Sequence, residues 1–406
     1  MNIPAPIEAA RAELQSLRRD IHAHPELRYE EHCTADLVAR KLTEWGIKVH
    51  RGLGKTGVVG TLRAGASPRA IGLRADMDAL PIQEHNVFAH RSQHDGKMHA
   101  CGHDGHTTML LGAARYLAKQ RDFNGTVHLI FQPAEEDGAG ARAMVEDGLF
   151  RLFPVEAVFG LHNWPGMPAG AFGVATGPAM ASSSEFEIIV KGVGAHAAMP
   201  HMGRDPVFAA IQIANGLQSI ITRNKKPLDT AVLSVTQFHA GDVLNVIPEV
   251  ARLGGTVRAF APDALDLIEA RMRDIAQMTA SAYECAIEFV FRRESPAVIN
   301  SAAETQRAAD VMTQIVGAHN VNRALEPTMG AEDFSYMLRE APGCYAFIGN
   351  GDGAHRSDGH GAGPCILHNP SYDFNDDILT LGATYWVRLV EAFLPVKNSA
   401  ANWTAC

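Results

Sequence analysis

Gly125-Thr-Val-His-Leu-Ile-Phe-Gln-Pro-Ala-Glu-Glu136 is an apolar run that stops at a proline, an alanine and two adjacent carboxylates. Its β-branched and aromatic residues over 125–131 predict a buried strand, and the proline predicts its end. Two other stretches have the same build. Residues 70–75 form a short apolar run that delivers Asp76 and Asp78 ahead of Pro81, and residues 156–161 form one that delivers His162-Asn-Trp-Pro165. Residues 104–119 and 139–147 read as helices between them. Strands alternating with helices predict an α/β sheet. The polar residues then share one position, the carboxyl ends of strands, where open α/β sheets carry their sites.

Between the first two of these strands lies His99-Ala-Cys-Gly-His-Asp-Gly-His106. Cys101 and His103 are too close in sequence to share a helix face, and Gly102 and Gly105 favour a loop. A thiolate beside an imidazole suits zinc or another late first-row divalent metal. A solvated histidine-rich turn is the plainer alternative. The convergence predicted above would bring Asp76, Asp78, Glu135, Glu136 and His162 to Cys101 and His103. His162 and His368 both stand in Leu-His-Asn. With Cys101, His103 and Glu136 they make five ligand candidates, more than one tetrahedral ion needs, which suggests a two-metal centre. Asp78 would orient a ligand from behind. Adjacent carboxylates point in different directions, so Glu136 can bind metal while Glu135 takes a proton from an attacking water and passes it to a leaving group. Two solvated surface acids are the ordinary alternative. No GxSxG elbow or HExxH helix is present. A nucleophilic Cys101 ranks below Cys101 as a ligand.

The chain has 406 residues and a formal net charge of −9, which allows two domains and argues against a nucleic-acid partner. No stretch approaches the ~20 apolar residues of a membrane helix, and Met1-Asn-Ile-Pro-Ala-Pro-Ile-Glu8 lacks the pattern of a signal peptide. The six cysteines show no framework spacing, as expected of a reducing, cytoplasmic setting; Cys33, Cys285, Cys344 and Cys365 are expected to be packed residues and Cys406 idle. Gly52-Leu-Gly-Lys-Thr-Gly57 matches GxGxxG, but Val-Val-Gly-Thr-Leu follows where a helix must open, so a nucleotide site is rejected. Helices are expected over 5–20, 34–45, 302–316 and 376–393, a loop over 349–364, and a frayed tail after Lys397. From 184 to 294 the order of elements is β-α-β-β-α-β, the split ferredoxin-like pattern, which reads as a domain inserted between 1–183 and 295–406.

With these residues in hand, the chain resembles the M20 metallopeptidase family, specifically its aminoacylase and hippurate-hydrolase branch. The likeness runs from Arg18-Arg-Asp-Ile-His-Ala-His-Pro-Glu26 to Leu367-His-Asn-Pro370, through Arg74-Ala-Asp-Met-Asp-Ala-Leu-Pro81, the 99–106 motif, Phe131-Gln-Pro-Ala-Glu-Glu136, Gly160-Leu-His-Asn-Trp-Pro165, Gly194-Ala-His-Ala-Ala-Met-Pro-His201, Asn245-Val-Ile-Pro248 and Gly330-Ala-Glu-Asp-Phe334. It implies a mixed-sheet, metallo-exopeptidase-like α/β catalytic domain with an inserted ferredoxin-like α+β lid, often the dimer interface. It also implies two divalent ions, with Zn, Mn, Co and Ni all compatible, held by Cys101, His103, Glu136, His162 and His368. Glu135 would be the general base and acid, His196 would help hold the oxyanion, and Asn245 would touch substrate. Arg258 is a candidate for the substrate carboxylate on charge grounds alone, with a solvated strand arginine as the alternative. His201 and Arg204 have weaker claims. The expected reaction is hydrolysis of the amide of a small N-acyl amino acid, hippurate-like or N-acetylated. N-acetyl-diaminopimelate or N-acetylcysteine deacetylation, dipeptidase activity, and a metal- or ligand-binding protein without catalysis are the alternatives.

Overall fold

The computed structural model describes residues 1–136 and 139–396. The chain divides into two compact units. One contains Met1–Ala179, Ile299–Glu326 and the chain from Asp333 onward; the other contains Met180–Val298 and the short excursion Pro327–Glu332.

The first unit is built on an eight-stranded mixed sheet. Its first five strands are β1 (Lys48–Leu53), β2 (Gly57–Ala64), β3 (Ala70–Asp76), β4 (Gly125–Gln132) and β5 (Ala157–Pro165). They lie in the order β1-β2-β4-β3-β5, followed by strand Gly343–Gly351 and two short strands at Phe172–Gly173 and Val321–Asn322. β3 runs parallel to β4 and to β5, and β5 parallel to Gly343–Gly351. The carboxyl ends of these strands therefore lie along one edge, and with them Asp76, Gln132 and His162. Every residue of β3 is buried, as in a strand covered on both faces. Helix His103–Gln120 packs on β3 and on helix Leu379–Phe393.

Local chemistry explains the boundaries. Helix Arg11–Ala23 stops just before Pro25, because the residue ahead of a proline is pushed out of the helical region. Helix His32–Glu44 ends before Gly46, whose φ of 72° is the usual left-handed exit. The GxGxxG stretch is the turn between antiparallel β1 and β2, not the start of a helix. Two expectations need correction. Gly343–Gly351 is a strand, so the expected loop begins only after Gly351. Cys33 is exposed rather than packed, because it sits on the outer face of the first helical turn while its N–H is anchored to Glu26. The tail from Lys397, with Cys406, lies outside the described residues.

The second unit has one antiparallel sheet in the order Ala231–Ala240, Val250–Ala259, Ser183–Lys191, Ala286–Ser295. Helices Pro206–Ser219 and Pro262–Ala282 complete the β-α-β-β-α-β order. Phe186, Ile188 and Val190 alternate inward from the central strand and join Ile213, Leu217 and Met272 in a separate core. Asp205 caps the first helix by accepting from the N–H groups of Val207 and Phe208. A two-stranded ribbon pairs Val246 with His196. Among the described residues, no helix is long and apolar enough to cross a membrane.

Candidate metal centre and its carboxylates

The expected ligands converge within the first unit. Cys101 Sγ lies 3.3 Å from His162 Nε2, and His368 Nε2 lies 3.3 Å from Glu136 Oε2. His103 Nε2 is 3.8 Å from Glu136 Oε1 and 3.9 Å from Glu135 Oε2. The sets Cys101/His103/His162, Cys101/Glu136/His368 and His103/Glu135/Glu136 each bring their ligand atoms within 4.8 Å of one another.

Each histidine is presented by a defined hydrogen bond. His103 Nδ1 donates to the backbone oxygen of Asp78 at 2.9 Å, which turns Nε2 toward Glu135 and Glu136. His162 Nδ1 donates to the Asn163 oxygen at 2.6 Å, leaving its Nε2 toward Cys101. His368 adopts φ +61°, an uncommon conformation for a side chain with a Cβ, and its N–H donates to the Ala100 oxygen. Gly102 is required between Cys101 and His103. Its φ is +96°, and a Cβ there would fall 2.3 Å from Asn163 Nδ2. The neighbouring histidines 99 and 106 do not join the ligands. His99 is buried without a hydrogen bond to either ring nitrogen, and burial lowers its pKa to about 4. His106 is bound to Asp76.

The loop after β4 is held by other carboxylates. Asp78 accepts from the N–H groups of Glu135 and Glu136 at 3.0 and 3.1 Å. Asp333 accepts from Gln132 Nε2 and from Ala141 N, on either side of that loop. Glu31 accepts from Ala134 N at 2.9 Å. Glu31 and Asp333 were not singled out by sequence; the only signal was the position of Asp333 in Gly-Ala-Glu-Asp-Phe.

So many acids in a buried space call for positive charge. Burial opposes charge on the His103 ring, but Asp76, Asp78 and Glu136 outweigh it and hold its pKa up to about 10. Burial pushes the Cys101 thiol well above its ordinary range, and Glu136, Glu135 and Asp76 push it further. Burial pushes the His162 pKa well below its ordinary value. Yet His103 Nε2 and Glu136 Oε1 are buried with no hydrogen-bond partner. Two orphaned ligand atoms facing a thiol, an imidazole and carboxylates fit divalent cations, whose binding would displace protons.

His196, Asn245 and Arg258 belong to the second unit. The Ala198 N–H donates to His196 Nδ1 at 3.1 Å, and the Ala197 N–H donates to the Asn245 oxygen at 3.0 Å, so the ribbon holds these two residues together. Arg258 is half-buried and makes no ion pair among the described residues; burial lowers its pKa. Arg204 is paired with Glu284.

A mixed α/β sheet whose strand ends gather a thiol, imidazoles and carboxylates around orphaned ligand atoms defines a metal-binding hydrolase class. The chain belongs to peptidase family M20/M25/M40, matched over residues 72–392. It is 41% identical to a hippurate hydrolase of Campylobacter jejuni over 97% of this chain and 100% of that protein. It is 38% identical to an N-acetylcysteine deacetylase of Bacillus subtilis over 94% of this chain and 97% of that one. Among solved structures, a Bacillus subtilis protein described as a dinuclear metal-binding peptidase of the M20 family superposes with a TM-score of 0.81 at 35% identity, covering 94% of this chain and 98% of that chain.

Proposed function

We propose that this protein is a metal-dependent amidohydrolase that cleaves N-acyl amino acids into a carboxylic acid and a free amino acid. The observation that carries this reading is the pair of orphaned ligand atoms, His103 Nε2 and Glu136 Oε1, beside the second carboxylate of Glu135. Cys101, His103, Glu136, His162 and His368 would hold two divalent ions; Zn, Mn, Co and Ni all suit this mixed donor set. Such ions supply Lewis acidity toward the amide carbonyl and make water acidic enough to attack near neutral pH.

The chain's own residues do the rest. Glu135 accepts the proton of the attacking water and returns it to the leaving amine as the C–N bond breaks. Asp78 keeps Glu135 in place through two backbone N–H groups and fixes the His103 tautomer. Because His196 Nδ1 is an acceptor, its proton sits on Nε2, ready to donate to an oxyanion. Asn245 would contact substrate from the same ribbon, and Arg258, which makes no ion pair among the described residues, would take the substrate carboxylate. The inserted unit would then act as a lid. Its exposed Phe208, Ile211, Val232 and Phe238 suit a homodimer contact. The five cysteines among the described residues are free, which favours a reducing, cytoplasmic setting.

Similarity to hippurate hydrolase favours aromatic acyl groups; similarity to N-acetylcysteine deacetylase supports acetyl substrates as the second reading. The deciding experiment is elemental analysis paired with hydrolysis of hippurate and of N-acetyl amino acids, before and after chelation. Two ions per chain and metal-restored activity are expected. Glu135→Gln is expected to keep its metal and lose at least about 100-fold in turnover, the usual scale of a lost general base. A metal-free protein, or a fully active Glu135→Gln, would overturn the assignment.

A further inference from the structure

Asp76, His103 and His106 also bring ligand atoms within 4.8 Å of one another, which by distance alone would qualify as a further metal set. The hydrogen bonds around His106 assign it differently. The backbone N–H of Asn163 donates to His106 Nε2 at 2.9 Å. That nitrogen must therefore be bare, and the ring proton lies on Nδ1, which donates to Asp76 Oδ1 at 2.6 Å. The other Asp76 oxygen accepts from Arg74 at 2.8 Å. Both ring nitrogens and both carboxylate oxygens are thus engaged, in a fully buried place.

What the ring holds is the peptide next to a ligand. The Asn163 N–H is tied to His106, while the Asn163 oxygen accepts from His162 Nδ1 at 2.6 Å. These two groups belong to the successive peptides on either side of the Asn163 Cα, so a backbone rotation at Asn163 would turn the His162 ring. The Asn163 side chain touches the same ring nitrogen and the other ligand: its Nδ2 lies 3.1 Å from His106 Nε2 and donates to the Cys101 oxygen at 2.7 Å, and its Oδ1 accepts from the Tyr372 hydroxyl at 2.8 Å. A single acceptor, His106 Nε2, is therefore coupled to both members of the Cys101–His162 pair.

We propose that Asp76, His106 and Asn163 form a positioning relay that sets the angle at which His162 and Cys101 meet a divalent ion, with His106 a locked hydrogen-bond acceptor and not a ligand. The proposal rests on the metal-site assignment above. Its test is Co²⁺ and Zn²⁺ binding by the full-length protein, read as stoichiometry at saturation, as affinity by chelator competition, and as the thiolate-to-cobalt charge-transfer absorption. His106→Asn can satisfy Asp76 but offers nothing to the Asn163 N–H; His106→Gln places an amide oxygen near the position of Nε2. His106→Asn is expected to reach the same stoichiometry as the parent with about 10–100-fold weaker affinity and an altered charge-transfer band, the range found when groups supporting a ligand are changed. His106→Gln should recover most of that loss. Tyr372→Phe removes one bond to Asn163 and should weaken binding about 5-fold, the scale of one net hydrogen bond. If His106→Asn does not fold, Tyr372→Phe decides. One ion fewer at saturation in the His106 variants makes His106 a ligand and overturns the relay. Parent-like affinity and spectra in the folded variants also overturn it, while leaving the metal site intact. An unsubstituted protein that binds neither ion removes the metal site, and the relay with it.

Discussion

Glu135, the proposed general base, is preceded by a backbone contortion that another carboxylate sustains. Ala134 has φ +51°, a conformation that costs a residue with a Cβ about 1–2 kcal/mol. Glu31 Oε1 accepts the Ala134 N–H, and Glu31 Oε2 accepts from Thr56 Oγ1 at 2.6 Å. Without Glu31, the Ala134 N–H, one residue before Glu135, loses its buried acceptor and the strain is relieved by moving the loop. Glu31→Ala is therefore expected to lower kcat by about 10-fold or more, on the scale of a misplaced reacting group, with KM and metal content little changed. Glu31→Gln keeps an oxygen for Ala134 and should retain most activity. Unchanged kcat in Glu31→Ala, measured with saturating metal, would show that Glu31 does not position Glu135.

At the scale of elements, the turn into helix His103–Gln120 is a constrained joint of the site. Gly102 precedes the helix with φ +96°, and an added Cβ would meet Asn163 Nδ2 at 2.3 Å and the Tyr372 oxygen at 2.6 Å. Gly102→Ala should destabilise the protein by about 2 kcal/mol or more, combining left-handed strain with displaced buried partners, and should lower metal affinity. A melting temperature and metal affinity equal to the parent's would rule out this constraint. The elements that sequence revealed are those with a clear period or punctuation. β3 and β4 are apolar runs ended by carboxylates or proline, and the second unit alternates in its strands and caps its first helix with Asp205-Pro206. Gly343–Gly351 escaped because it is buried almost throughout and carries glycine at 343, 349 and 351, so it shows neither alternation nor strong strand propensity. The candidate ligands stood out in the sequence because thiol and imidazole are chemically distinctive. Glu31 and Asp333 were not, because each holds a backbone N–H, a group that nearly every residue supplies.

Across the whole first unit, buried charges join segments far apart in the chain. Arg18 meets Asp373 at 3.1 Å, Asp376 at 2.6 Å and Asp104 at 3.5 Å. One turn further on, His22 Nδ1 meets Asp104 at 2.8 Å and its Nε2 meets Glu84 at 3.3 Å. The N-terminal helix thus grips both the start of the metal-loop helix and the segment leading into the last helix. Burial opposes charge on the His22 ring, but Asp104 and Glu84 outweigh it and raise its pKa to about 9. A histidine whose folded pKa is raised stabilises the fold fully below its unfolded value of about 6.5, and that contribution is lost as pH climbs through about 9. Asp104, Glu84 and Asp373 have opposite signs: burial disfavours their charge, but their cationic partners outweigh it and hold each below its ordinary value. Their contribution is present above the ordinary carboxylate range near pH 4 and fades as pH falls below it. His22→Gln removes the alkaline limb and also weakens the acid limb, because His22 is a main cationic partner of Asp104 and Glu84. The gap in urea-unfolding free energy between the parent and His22→Gln should therefore be widest near pH 6, narrow steadily above pH 7, and be smallest beyond pH 9. Other groups that titrate at alkaline pH, His103 among them, are common to both proteins and cancel in that difference. A gap that stays constant from pH 6 to pH 10 would mean that the His22 proton does not hold these segments together.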